Sequence, residues 1–215
     1  NGEFPHEIFN AIDKATFPLM AESYECRTTQ SFMGIMDDMY VMNKHTWDAA
    51  CSFVMRGKSY QKDEIPSWSA PNSDLLYFCL KDQTKVRNMT KFFLPPPPAT
   101  KFKMNLLSKM YHASHDIFNL DLIDAKIVPA TNFRMMPAKR VQIASGEIRV
   151  IYNTFSYDTN SYPGMCGSPV VLMNPAGPKI IGTHISGLAG RMGSAEALDA
   201  TWRTAFVALH PEYGQ

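Results

Sequence analysis

The chain has 215 residues, enough for one large domain or two small ones, and either can bury a real core. Hydrophobic residues make up 45% and charged residues 19%, an ordinary globular balance, and a net charge of +1 means that any nucleic-acid binding must rest on a local basic patch. No apolar run approaches the ~18 residues needed to span a bilayer, residues 1–20 lack the apolar stretch of a secretory signal, and the four scattered cysteines (Cys26, Cys51, Cys79, Cys166) suit a reduced cytosolic protein better than a disulfide framework.

Phe4, Ile8, Phe9 and Ile12 recur at helical spacing, with Pro5 in the first turn, and predict a short amphipathic N-terminal helix over residues 4–15. The pattern then changes to short runs separated by turn residues. Ser31–Met36 and Met39–Met42 flank Asp37-Asp38 as a hairpin ending at Asn43-Lys44-His45. Ser52–Met55, Leu75–Leu80 and Met89–Leu94 read as further strands. Pro95-Pro96-Pro97-Pro98 can be neither a helix interior nor a central strand, so residues 95–102 read as a stiff connector between a first half (1–94) and a second (103–215). The rival reading, a proline-rich ligand for another protein, lacks the usual basic flank. Beyond the connector, Lys103–Met110, Asp121–Val128, Arg140–Ala144, Ile148–Tyr157, Pro169–Met173, Lys179–Ile185 and Ser194–Leu198 again read as strands, and Ala200–Leu209 as a helix. Two sets of about six short strands predict an all-β chain of two antiparallel six-stranded barrels, with an N-terminal and a C-terminal helix.

The most informative stretch is Pro163-Gly164-Met165-Cys166-Gly167-Ser168-Pro169, which runs into Val170-Val171-Leu172-Met173. A cysteine set between glycines, on a turn entering a buried strand, suits an exposed thiol nucleophile, although free cysteine is more often simply buried. A thiol needs a base, and six histidines are available. His45 ends the apolar run Met39-Tyr40-Val41-Met42, at a strand terminus where a side chain can face a cleft. A third residue should orient the imidazole. Asp74, which opens the apolar run Leu75–Leu80, lies 29 residues after His45 and 92 before Cys166. It also has the plainer reading of a turn residue, and Asp82 and Glu64 stand in reserve. The backbone N–H groups of Gly164, Met165 and Cys166 are the candidates for an oxyanion hole.

The blocks around Cys166, His45 and Gly182-Thr183-His184-Ile185-Ser186-Gly187 together resemble the chymotrypsin-like cysteine proteases of positive-strand RNA viruses, the picornavirus 3C type. The resemblance implies a paired-barrel fold and a Cys166–His45–Asp74 triad without metal or organic cofactor. It implies that His184 lies at the base of the primary specificity pocket and donates to a glutamine side chain, with Ser161 or Tyr162 adding a polar contact; the family usually has Thr there. Ile185, Ser186 and Gly187 would pair with the substrate main chain. The implied substrate is a viral polyprotein cut between Gln and a small residue in the host cytoplasm, with host proteins as secondary targets. The chain ends Glu212-Tyr213-Gly214-Gln215, a terminus that such an enzyme would generate by excising itself. Lys85-Val86-Arg87-Asn88-Met89 is similar to the Lys-Phe-Arg-Asp-Ile RNA-binding motif of picornaviral members in Lys85 and Arg87. That offers viral RNA as a further partner and an RNA-binding module as the alternative function; an ordinary solvated face is the plainer reading. The hairpin Asn174–Lys179 and the N-terminal extension resemble the insect dicistrovirus or iflavirus branch.

Overall fold

The computed structural model describes residues 5–112, 123–142 and 145–214. The apolar spacing at the N-terminus folds as α1 (Pro5–Lys14), with Ile8, Ala11 and Ile12 turned inward. Seven strands follow: β1 (Thr16–Glu22), β2 (Arg27–Met36), β3 (Met39–Asn43), β4 (Ser52–Met55), β5 (Lys58–Gln61), β6 (Ser67–Ser69) and β7 (Leu75–Cys79), with a short helix α2 (Lys44–Ala49) after β3. They form one antiparallel sheet in the order β5-β4-β1-β2-β3-β7-β6. The second sheet comprises β8 (Met104–Tyr111), β9 (Ile123–Gln142), β10 (Ile148–Thr159), β11 (Pro169–Leu172), β12 (Lys179–Leu188) and β13 (Met192–Glu196). It closes into a barrel in the order β10-β13-β12-β11-β8-β9. α3 (Trp202–Leu209) comes last. Among the described residues no helix is long and apolar enough to cross a membrane.

The all-β architecture with two sheets and a helix towards each end is the expected one, but the first sheet has seven strands where six were expected. β1, β5 and β6 are the additions. Met89–Leu94, expected as a strand, instead makes a single 3-10 turn at Thr90–Phe92. The Asn88 side chain accepts from Thr90 N–H at 3.0 Å, an Asx turn that competes with strand pairing. The two runs expected at Asp121–Val128 and Arg140–Ala144 merge into the single 20-residue β9; Asp121, Leu122, Ile143 and Ala144 lie outside the described residues.

The two sheets share one apolar core. Met33, Val41, Leu75 and Tyr77 from the first sheet pack with Leu107, Ile151, Val171, Ile180 and Ile185 from the barrel, and with Ile12, Trp202 and Phe206 from α1 and α3. Trp202 stacks on Tyr77 with ring centroids 5.4 Å apart, both rings buried. Full burial of such side chains contributes about 1.5–3 kcal/mol each, so this interface carries a substantial part of the stability. Two further apolar clusters fill the interiors, one around Phe32, Tyr40, Phe53 and Phe78 and one around Leu106, Phe155, Val170 and Ile181.

Candidate active site

β3 runs apolar until Asn43, and the chain then turns into α2, which puts His45 in a first helical turn rather than at a strand end. Trp47 anchors that helix by stacking on Phe53 at 5.2 Å. Backbone N–H groups in a first turn lack intrahelical partners, and Asp74, directly before β7, supplies acceptors for two of them. Its Oδ1 accepts His45 N–H at 2.9 Å, while its carbonyl accepts Lys44 N–H at 2.6 Å. The other oxygen, Oδ2, lies 2.7 Å from His45 Nδ1. One carboxylate therefore fixes both the backbone and the ring of His45.

Asp74 is 2% exposed. Asn43 donates to its Oδ2 at 3.1 Å, Gln30 donates to Asn43 Oδ1 at 2.9 Å, and Thr46 donates to Gln30 Oε1 at 2.6 Å. Burial works against a charged His45 imidazole. The hydrogen bonds and charges of Asp74 and Cys166 outweigh it and raise His45 from 6.5 to about 10. Cys166 is thus one of the two groups that favour the charged ring. A thiolate–imidazolium pair fits this arrangement.

Cys166 is half-buried, its Sγ 3.6 Å from the Ile185 carbonyl. The loop around it is moored to both sheets. Ser31 N–H donates to the Cys166 carbonyl at 3.2 Å, and Gly167 N–H donates to the His184 carbonyl at 2.9 Å. Gly167 has φ +82, and a Cβ there would lie 1.9 Å from the Ser31 carbonyl oxygen; Gly164 has φ +97. Both conformations favour glycine, and they bring the loop onto β2. Met165 N–H already donates to the Tyr162 carbonyl at 3.2 Å. Gly164 and Cys166 N–H find no acceptor among the described residues, so these two are the pair suited to an oxyanion. His45, Gly164 and Cys166 line one cleft of about 280 Å³, together with Thr28, Gln30 and Ala49.

His184 lies on β12 and is 2% exposed. The hydroxyl of Tyr157, itself buried, sits 2.6 Å from its Nδ1. Burial first, and then the nearby His45, hold His184 down at about 3, so it is neutral at any working pH. The neutral ring carries its proton on Nε2 when the Tyr157 hydroxyl donates to Nδ1, and on Nδ1 when the hydroxyl accepts. The β11 ladder stops at the pair Pro169–Thr183, so beyond His184 that edge of β12 has no partner strand among the described residues. Of the residues expected there, Ile185 buries its side chain in the shared core and offers only its backbone. Among the described residues the buried hydroxyls of Ser186 and Tyr162 have no hydrogen-bond partner, and Gly187 lies against Ser161 Oγ.

Lys85 and Arg87 are exposed and line a separate groove of about 530 Å³ with Glu7, Lys14 and Arg56. The groove shares no residue with the Cys166 cleft. Arg87 also packs its guanidinium over Phe92 at 5.2 Å. The reserves for the acid do not approach His45: Asp82 binds Lys58 and Tyr60, and Glu64 is exposed in a 3-10 turn. Gln215 lies outside the described residues. Sequence reasoning missed Asn43, Gln30, Tyr157 and Glu196, polar residues inside apolar strands; that placement was the available signal, since buried polar groups must be paired.

The sequence profile of the 3C cysteine protease family (picornain 3C) matches residues 19–189. A 46-residue stretch is 39% identical to the genome polyproteins of human klassevirus 1 and of Salivirus A (isolate Human/Nigeria/NG-J1/2007); it makes up 21% of this chain and spans only 2% of either polyprotein. Among solved structures, catalytically active tobacco etch virus protease complexed with product is similar with a TM-score of 0.62 at 13% identity, over 94% of this chain and 80% of that one. The HRV-C 3C protein with rupintrivir gives a TM-score of 0.53 at 18% identity, over 90% and 97%. The Rv3671c protease of M. tuberculosis gives 0.65 at 11% identity, over 94% and 82%. At these identities the likeness is one of fold.

Proposed function

We propose, from the premise that this chain belongs to the 3C cysteine protease (picornain 3C) family of cysteine endopeptidases, that it cuts a viral polyprotein after glutamine through Cys166, His45 and Asp74. Cys166 as thiolate attacks the scissile carbonyl carbon. The oxyanion that forms accepts hydrogen bonds from Gly164 and Cys166 N–H. The His45 imidazolium, oriented by Asp74, gives its proton to the leaving amine, and a thioester remains on Sγ. His45, now neutral, takes a proton from water, which attacks the thioester; the acid leaves and the thiolate–imidazolium pair returns.

The observation that carries the specificity is the Tyr157–His184 bond. With the Tyr157 hydroxyl donating to Nδ1, His184 presents Nε2–H as the donor for a neutral amide side chain. Glutamate would bring a charge into a buried site whose histidine cannot protonate to meet it. The free edge of β12 suits main-chain pairing with an extended substrate.

The test is cleavage of a fluorogenic peptide Glu-Tyr-Gly-Gln followed by a small residue. Cleavage lost in Cys166→Ala and lost again when Glu replaces Gln in the peptide supports the reading. Folded protein that cuts no glutamine peptide overturns the specificity.

A further inference from the structure

Of the acidic side chains among the described residues, only Asp74 and Glu196 are buried, Glu196 at 4% exposure. A carboxyl at such a position must be held by hydrogen bonds or it would destabilise the fold. Glu196 Oε1 accepts Asp74 N–H at 2.7 Å, and its Oε2 shares a short hydrogen bond with the Ser73 hydroxyl. That hydroxyl also accepts Leu75 N–H at 3.0 Å. All of these bonds converge on the three residues that carry the Asp74 carboxyl towards His45. They also cross between the two sheets, since Glu196 ends β13 and pairs its backbone with Thr154 and Thr183 of the barrel.

We propose that Glu196 is a positioning residue for the Asp74–His45 pair, a strut from the barrel that sets where the Asp74 carboxylate meets the imidazole. The inference rests on the reading of Asp74 as the orienting acid. Two carboxylates this close would repel if both were charged. Burial, joined by the charges of Asp74 and Asp199 and only partly offset by the bonds from Ser73 and Asp74 N–H, pushes Glu196 up to about 8. Near neutral pH it therefore holds Asp74 as a neutral acid and sets no second negative charge against it. Glutamine has the same shape and can make both bonds, its oxygen accepting from Asp74 N–H and its amide donating to Ser73 Oγ.

The experiment compares wild type with Glu196→Ala, Glu196→Gln and Asp74→Asn. The readouts are kcat and KM on the glutamine peptide and the downfield proton resonance of His45 Nδ1–H. In Glu196→Ala we expect kcat to fall about tenfold, with KM within about twofold and the His45 resonance moved or broadened. Glu196→Gln should restore both to within about threefold of wild type. A folded Glu196→Ala with wild-type kcat and an unmoved resonance overturns the proposal, as does a Glu196→Gln as impaired as Glu196→Ala. Should Glu196→Ala not fold, Ser73→Ala, which loses one of the two bonds, takes its place in the same comparison. If wild type lacks the resonance and Asp74→Asn cleaves like wild type, it is the reading of Asp74 that fails, and the proposal with it.

Discussion

Tyr157 and His184 are joined from hydroxyl to Nδ1 at 2.6 Å, and both are sealed from solvent. The phenol is pushed well above its ordinary range by burial and so remains a neutral partner. When it donates to Nδ1, it holds His184 in the Nε2–H tautomer that the proposed specificity requires. In Tyr157→Phe the Nδ1 loses its partner, and the proton is free to redistribute between the two ring nitrogens. Such a bond is worth about 0.5–1.5 kcal/mol, so kcat/KM for glutamine peptides should fall by up to about tenfold. The preference for Gln over Glu should narrow in parallel. Parallel kinetics on the two peptides measure this, and an unchanged preference would remove Tyr157 from the specificity machinery.

The three candidate catalytic residues should not be equivalent. Cys166→Ala removes the nucleophile and should leave no measurable turnover. His45→Ala removes the proton carrier, worth about 10²–10⁴-fold. Asp74→Asn should cost less than either, because the thiolate–imidazolium pair retains its mutual attraction. Active-site titration with an alkylating agent separates turnover from thiolate content. Asp74→Asn as inactive as Cys166→Ala would contradict this order.

The pH profile follows from His45. Its value rises from 6.5 to about 10 on folding, against the effect of burial, through Asp74 and Cys166. A raised value means that the stabilisation from this pair is fully present below about 6.5 and is lost as the pH rises through about 10. Cleavage should accordingly decline on the alkaline side as the imidazolium is lost. Asp74→Asn removes one of the two groups that favour the charged ring, so the decline should begin at lower pH. Rate profiles of the two proteins would show it, and coincident alkaline limbs would argue against the assignment.

Phe206, almost wholly buried in the core shared by both sheets, offers a test of how that core unites the fold. Truncation to alanine should cost about 3–5 kcal/mol. Urea unfolding followed by tryptophan fluorescence, beside cleavage activity, should show both falling together. A stable but inactive variant, or a destabilised one that unfolds in two separate steps, would mean the sheets are less dependent on each other than their packing implies.

Much of the site was legible because nucleophile, base and pocket residues sit in short local patterns. Cys166 lies between glycines, His45 follows an apolar run, and His184 lies in a strand between glycines. The structure lines one cleft with Cys166 and His45 and buries His184 on β12, its carbonyl bonded to Gly167 N–H, but their supports come from elsewhere. Asn43, Tyr157 and Glu196 act through partners 31, 27 and 122 residues away, distances at which no sequence window sees a pairing. Strand β1 was missed because of Pro18. The ladder to β4 begins only at Leu19, so Pro18 pairs on one side alone and the missing N–H disrupts nothing. Met89–Leu94 looked like a strand from its apolar content, and the Asn88 side chain diverted it into a turn. The hairpin reading of residues 31–42 held, while α2 was hidden because six residues are too few to show a helical period.

The candidate reacting groups are divided along the chain, His45 and Asp74 before residue 80, Cys166 and His184 after residue 160, and the core that joins their sheets includes Trp202 and Phe206. During synthesis this ordering acts as a clock. A ribosome that has released the first sheet has made a histidine and an aspartate with nothing to activate, and even a chain translated through Cys166 lacks Glu196 and the closing helix. Any activity that needs both sheets must therefore wait for the last-made elements of the chain.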